Sequence, residues 1–422
     1  MKILFLAHRI PYPPNKGDKI RSFHELAYLA RRHDVWLACL ADQPDDLAHV
    51  ATLEGMCRAV ACEPIRRGRR TRCLASLLRG EPLSVGHFRS RRLRETVNAW
   101  IEREAFDAIL AFSSTTAQYV PGAAADRPRM VMDLVDVDSE KFRAYAARKR
   151  LSPAGLVYAR EARRLARYEA AIARRFDRVV VVTDAERDVF QRVTASDRPA
   201  AVVPNGVDTA YFQPGDERAW PNTMVFAGAM DYAPNVDAVT WFVHGVLPRV
   251  TDTVGGARLR IVGARPCRAV RRLAAHAQVE VVGTVPDIRP YVRTATVSVA
   301  PMRIARGVQN KVLEAMAMGV PVVTTAAGLE GLGTGVGLTI DEAQAGAGPE
   351  GAVPVVVADD ESAFADAVCR VLKDRPLARG LSQGGRAFVL DGYQWERSMA
   401  DLEALLAADP ADPNPEERGS QA

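Results

Sequence analysis

A loop rich in arginine and amides, running into a short helix, holds the most reactive chemistry of the sequence: Arg303-Ile304-Ala305-Arg306-Gly307-Val308-Gln309-Asn310-Lys311, then Val312-Leu313-Glu314. Gly307 lets the backbone approach a ligand closely. The following helix directs its unpaired N–H groups and the positive end of its dipole back at the loop, a setting that suits a diphosphate. Lys311 adds a full charge in the first turn. Glu314, three residues on, projects to the same side, where a carboxylate can accept two ribose hydroxyls. Arg303, Arg306, Gln309 and Asn310 complete the polar set. The competing reading is an ordinary amphipathic helix whose Lys311 and Glu314 pair on the surface.

Other candidates stand where apolar runs end. Gly228, Gly263 and Gly283 each follow such a run and would allow close approach, and Arg265 and Arg303 are further cations for phosphate. Asp133, Asp136 and Asp138 close another run. One carboxylate there can orient a hydroxyl or stabilise developing positive charge. The Asp136-x-Asp138 spacing also permits a metal-bound nucleotide, or a cap for the helix after Ser139. Gly17, with Lys16, Lys19 and Arg21, forms a basic glycine loop without the G-x-G-x-x-G of a dinucleotide site. It reads as a contact for phosphate, or as a solvated turn. His8, His24 and His87 are isolated and read as structural.

These residues need strands and helices to hold them. Residues 2–7, 35–40, 108–112, 130–134 and 179–183 are short apolar runs with helical stretches between, the pattern of a parallel α/β sheet. After a turn-rich connector at 203–216 the alternation restarts, with runs at 224–227, 259–262, 279–282, 296–300 and 320–324 and a helix over 236–246. We therefore expect two Rossmann-like α/β domains, 1–202 and 217–391, a crossover helix over 392–408 that returns to the first domain, and a disordered tail, 409–422. A length of 422 residues suits two domains, and 48% hydrophobic with 25% charged residues suits a soluble protein. The net charge of +5 is too small to argue for nucleic acid. The six cysteines lack zinc-ligand spacing, and no run of about 18 apolar residues predicts a membrane span. The N-terminal apolar run is too short for a signal peptide. Arg160, Arg164, Arg167, Arg174 and Arg178 fall on one helix face. That face could dock on anionic lipid, helped by the clusters Arg66–Arg72 and Arg89–Arg94, or could be solvated and partly paired with Glu161 and Glu169.

In order along the chain, Pro11 to Arg21, Asp133-Leu134-Val135-Asp136-Val137-Asp138-Ser139, Asn205-Gly206-Val207-Asp208, Phe226 to Tyr232, Pro234-Asn235-Val236-Asp237 and Gln309-Asn310-Lys311 onward resemble glycosyltransferases of family 4. The resemblance extends over about residues 1–405 and is nearest the bacterial sugar transferases of exosortase-linked (PEP-CTERM) exopolysaccharide systems. It implies a GT-B fold with an interdomain cleft. The implied activity is metal-independent, retaining hexosyl transfer from a UDP- or GDP-sugar to a glycan or lipid-linked acceptor. The implied place is the cytoplasm, with peripheral contact to the inner face of the membrane. By position, Glu314 matches the second Glu of the family's E-x7-E motif, which holds the donor ribose. The first falls at Arg306, a charge reversal that would instead clamp the diphosphate. Lys311, Arg306 and the helix N–H groups would stabilise the leaving diphosphate. Asp136, near the family's His-Asp position, would be the acceptor-side carboxylate, with Asp133 second. Gly17, Gly228, Gly263, Arg265, Arg303, Gly307, Gln309 and Asn310 would line the donor. An epimerase or hydrolase on the same fold and a non-catalytic sugar-nucleotide-binding protein are the alternatives.

Overall fold

The structure, a computed structural model, describes residues 1–14, 17–65, 75–122, 127–149, 152–217, 219–305, 307–333 and 335–407. Arg306, Lys16, the cluster at 66–72 and the tail from 408 onward lie outside the described residues. The chain divides into two compact units: Met1–Pro204 together with Ser398–Ala422, and Asn205–Arg397.

The first unit is built on seven strands: β1 (Lys2–Ala7), β2 (Asp34–Ala41), β3 (Ala59–Pro64), β4 (Ala108–Phe112), β5 (Arg129–Val135), β6 (Arg178–Val181) and β7 (Ala201–Val202). They pair in the order β3-β2-β1-β4-β5-β6-β7, all parallel. The unbroken apolar runs of β1 and β4 follow from helices covering both faces, so alternation has no place there. Leu4, Phe5, Ile109 and Leu110 are fully buried. The register slips between Asp133 and Val135, where Val135 takes a φ of 67° and re-aims the end of β5.

The second unit repeats the winding on unrelated residues. Strands β8 (Thr223–Ala227), β9 (Arg258–Val262), β10 (Val279–Gly283), β11 (Val297–Ala300), β12 (Val322–Thr324) and β13 (Val356–Val357) pair in the order β10-β9-β8-β11-β12-β13, again all parallel. Each sheet thus reverses direction once, between β1 and β4 and between β8 and β11. Open parallel sheets present their ligand sites outside the carboxyl ends of strands at such reversals.

Three local features depart from the sequence reading. The helix expected over 236–246 begins at Ala233 and passes through a π segment, Phe242–Val246, before Leu247–Thr253. Pro248 removes one backbone donor from that helix, and the wider turn absorbs the loss. The arginine helix is Pro153–Arg175, so Arg178 belongs to β6 and the basic face ends at Arg174. Edge strand β3 was not anticipated: its residues are half-buried or exposed, and Glu63-Pro64 breaks the apolar run. The last helix, Trp395–Ala407, contributes its residues from Ser398 to the first unit, where Glu403 accepts from Tyr28 Oη at 2.9 Å and pairs with His33 at 2.7 Å.

Candidate functional site

In the second unit the reversal point is assembled from backbone first. Gly228 follows β8 and Gly263 follows β9, and a Cβ on Gly263 would stand 1.8 Å from the Gly228 carbonyl oxygen. A Cβ on Gly228 would stand 2.7 Å from Asn235 Nδ2. The close approach these glycines permit is to each other and to Asn235, which amends the expectation that they were needed for a ligand. Asn235 is buried, donates to the Ala229 carbonyl at 2.9 Å and accepts from Lys311 Nζ at 2.6 Å. One amide therefore ties the β8 turn to the start of the helix Asn310–Ala317.

Lys311 and Glu314 are both half-buried on that helix. The surface ion pair considered above does not form: the ammonium rests on the Asn235 amide, lies 3.5 Å from Met302 Sδ and stands 4.6 Å over the Phe226 ring. No described residue donates to the Glu314 carboxylate. Burial lowers the Lys311 ammonium to about 8, with the Glu314 charge working against the fall. Burial likewise raises the Glu314 carboxyl to about 7, with Lys311 opposing. Beside them, Asn310 Oδ1 is buried without a hydrogen bond. Gly307 is buried with a φ of 64°, a conformation suited to glycine, and its carbonyl accepts from Gln309 Nε2 at 3.3 Å. The helix start thus holds one cation with no ion pair, one carboxylate that accepts from no described residue and one buried amide oxygen without a hydrogen bond.

The two other cations proposed for phosphate are already neutralised. Arg265 makes a two-pronged pair with Asp231 at 2.5 and 3.1 Å, and Arg303 does the same with Asp237 at 3.0 and 2.5 Å. Arg303 instead helps form the wall of an open groove of about 690 Å³, with Asp231, Asp237, Trp241, His244 and Glu361.

In the first unit the basic loop is not solvated. Gly17 is exposed at the head of the helix Gly17–Ala30, and a Cβ there would meet nothing within 4 Å. Lys19 is buried against Asp46 at 2.7 Å. Arg21, 1% exposed, donates from Nε to Asp133 at 2.8 Å and from Nη1 to the Val203 carbonyl at 2.9 Å; its Nη2 lies 2.6 Å from the same Asp133 oxygen as an ion pair, and its Nε 3.1 Å from Glu25. The expectation that Lys19 and Arg21 face a ligand is therefore corrected: carboxylates remote in sequence draw both inward. Burial and the neighbouring Asp133 push the Glu25 carboxyl well up, so Arg21 and Asp133 form the charged pair. Asp133 is fully buried, and its other oxygen accepts from the Val135 N–H at 2.8 Å. It anchors the bulge that carries Asp136 and has no face for a substrate. Asp136 is half-buried beyond that bulge and feels the Arg21 charge.

His8, expected to be structural, follows β1 and approaches Asp18 at 3.3 Å, with its ring stacked on Phe112. Burial opposes ionisation of Asp18, yet His8 and Arg9 outweigh it and hold the carboxyl well below its usual range. Asp138, the second member of the Asp-x-Asp spacing, accepts from Ser114 Oγ at 3.3 Å. Among the described residues no group of three or more His, Cys, Asp or Glu side chains could hold a metal ion. No described helix is long and apolar enough to cross a membrane. The sequence reading missed Asn235 as a site residue. It lies within a quoted motif, but its partner is 76 positions away.

Comparison with known proteins adds to this geometry. Residues 21–211 match the family model described as Glycosyltransferase Family 4, and residues 221–374 match Glycosyl transferases group 1. A search of curated proteins found no match. Among solved structures, sucrose-phosphate synthase from Thermosynechococcus elongatus is 18% identical with a TM-score of 0.65, over 96% of this chain and 98% of that one. Anabaena HepE in complex with UDP-glucose is 16% identical with a TM-score of 0.61, over 96% and 99%. WaaG, a glycosyltransferase involved in lipopolysaccharide biosynthesis, is 15% identical with a TM-score of 0.57, over 96% and 100%. These likenesses show the fold, two parallel-sheet α/β units of the GT-B type.

Proposed function

We propose, for a chain whose two parts match the models of Glycosyltransferase Family 4 and of Glycosyl transferases group 1, that it moves a hexosyl unit from a nucleotide sugar to a glycan or lipid-linked acceptor, with retention and without a metal. The observation that carries this reading is the start of the helix Asn310–Ala317, where Lys311, Glu314 and Asn310 Oδ1 have binding capacity unused by the protein. A diphosphate satisfies the ammonium and the helix N–H groups, the nucleotide ribose satisfies the carboxylate, and a sugar hydroxyl can donate to the amide oxygen. HepE, of the same fold, is known in complex with UDP and with UDP-glucose, which supports the UDP-sugar of the two donors, UDP- or GDP-sugar, that we consider.

In the proposed reaction the bond between the sugar C1 and the diphosphate oxygen breaks as the acceptor oxygen bonds to C1 on the same face. The acceptor proton passes to the leaving phosphate. Lys311 and Arg306, the latter assigned from its sequence position, bind the charge that builds on the diphosphate. Asp136 orients the acceptor hydroxyl, and Asp133 acts on it only through the bulge. Exopolysaccharide synthesis at the inner face of the cytoplasmic membrane is the setting we assign.

The test is a thermal-shift screen of UDP-, GDP- and ADP-sugars, followed by mass measurement of products with and without acceptor. A glycoside with one added hexose is expected. Free sugar or an epimer without glycoside would replace the transferase with a hydrolase or epimerase. Binding without turnover on any acceptor would leave a sugar-nucleotide-binding protein.

A further inference from the structure

Along the helix Pro153–Arg175 the two glutamates considered as partners for the arginines point inward, and Glu161 keeps one ion pair, to Arg160 at 3.8 Å. Glu161 is 2% exposed and accepts from the Leu83 N–H, the Ser84 N–H and Ser84 Oγ at 2.7, 2.8 and 2.8 Å. Glu169 is fully buried and accepts from Ser139 N and Oγ. The outer face is left with one sign of charge. Arg163, Arg167 and Arg174 are exposed, stand 7, 11 and 18 residues after Leu156, and so line up with it in a single stripe. None of the three has a carboxylate partner among the described residues. At the head of the stripe the surface is apolar: Leu156 is 72% exposed and Val157 48%. Gly80 lies against Arg164 of the same helix, with its Cβ position 3.4 Å from Arg164 Nη1, and the turn ending there carries Leu78 at 83% exposed.

We infer that this helix face and the Leu77-Leu78 turn dock on a bilayer containing anionic lipid, with the arginines on headgroups and Leu78, Leu156 and Val157 entering the headgroup boundary. Uncompensated arginines attract any polyanion, but a nucleic acid gives no return for exposed leucine, whereas a bilayer buries it. The inference rests on the first unit alone and does not depend on the transfer reaction.

The test is cosedimentation of the full chain with vesicles of phosphatidylcholine, alone and mixed with phosphatidylglycerol. Pelleting is expected only with phosphatidylglycerol, and it should weaken as salt shortens the reach of the arginines. Reversing the stripe (R163E/R167E/R174E) should lower vesicle affinity by about fivefold or more per charge. The charge-preserving variant R163K/R167K/R174K should bind as the parent does. The variant L78S/L156S/V157S should weaken binding several-fold with the salt dependence retained. The thermal midpoints of these surface variants and their turnover on a soluble acceptor should stay unchanged. A parent protein that remains in the supernatant with phosphatidylglycerol, or a reversed stripe that pellets equally well, would overturn the inference. So would displacement by a short RNA duplex together with indifference to the serine changes, which would mark a nucleic-acid surface. Vesicle binding in a protein that transfers no sugar would sink the transferase and leave the docking surface standing.

Discussion

At the reversal point of the first unit, buried charge meets buried charge: Arg21 against Asp133, and Lys19 against Asp46. At the reversal point of the second, Lys311 rests on an amide, a thioether and a ring, and the Glu314 carboxylate accepts from no described residue. The two sheets wind identically, so topology does not account for the difference. A charge satisfied inside the protein contributes shape, and here it holds the Val135 bulge and, through it, Asp136. A desolvated charge left without a counter-charge is costly to the free protein and gains most when a ligand supplies one.

This contrast can be broken first on the side of stability. Arg21→Leu leaves the Asp133 carboxylate buried without its cation and should cost about 3–5 kcal/mol, read as a fall in the thermal midpoint. A loss no larger than that of Lys311→Ala would mean that the two sites do not differ in kind. Asp136→Asn should lower turnover by about 10²-fold while leaving donor affinity and thermal midpoint near the parent values. An equal loss of donor affinity would move Asp136 from the acceptor to the donor side. Asn235→Ala removes the amide that holds the ammonium and should weaken nucleoside diphosphate binding by about tenfold, with little effect on binding of the nucleoside alone.

The smallest effect is in pH. In the proposed site donor binding calls for Glu314 ionised and Lys311 protonated, so affinity should rise as pH passes about 7 and fall as it passes about 8. Glu314→Gln should flatten the acidic limb and leave the basic one. A profile flat from pH 6 to about 9 would remove both groups from the site.

The sheets were legible because strands covered on both faces are written as unbroken apolar runs, and the helix start was legible because Gly307 to Glu314 is contiguous. β3 was missed because an edge strand lacks that signature, and β7 and β13, of two residues each, are too short to show one. The fate of charge was not legible. Lys19 and Arg21 read as a basic loop, and nothing nearby announces that Asp133 lies 112 positions on. Arg265 and Arg303 read as phosphate ligands, although Asp231 and Asp237 occupy them. Asn235 became visible as a site residue only when the fold brought Lys311 to it.

The account stands on Lys311 and Glu314 receiving a pyrophosphate-linked sugar, and a calorimetric titration tests that directly. The parent and Lys311→Ala are each titrated with a nucleoside diphosphate and with its nucleoside, the base being the one selected by thermal shift. The parent should prefer the diphosphate strongly, and Lys311→Ala should lose about 10–100-fold of that preference while nucleoside binding holds. An unchanged ratio between diphosphate and nucleoside in the variant would contradict the account.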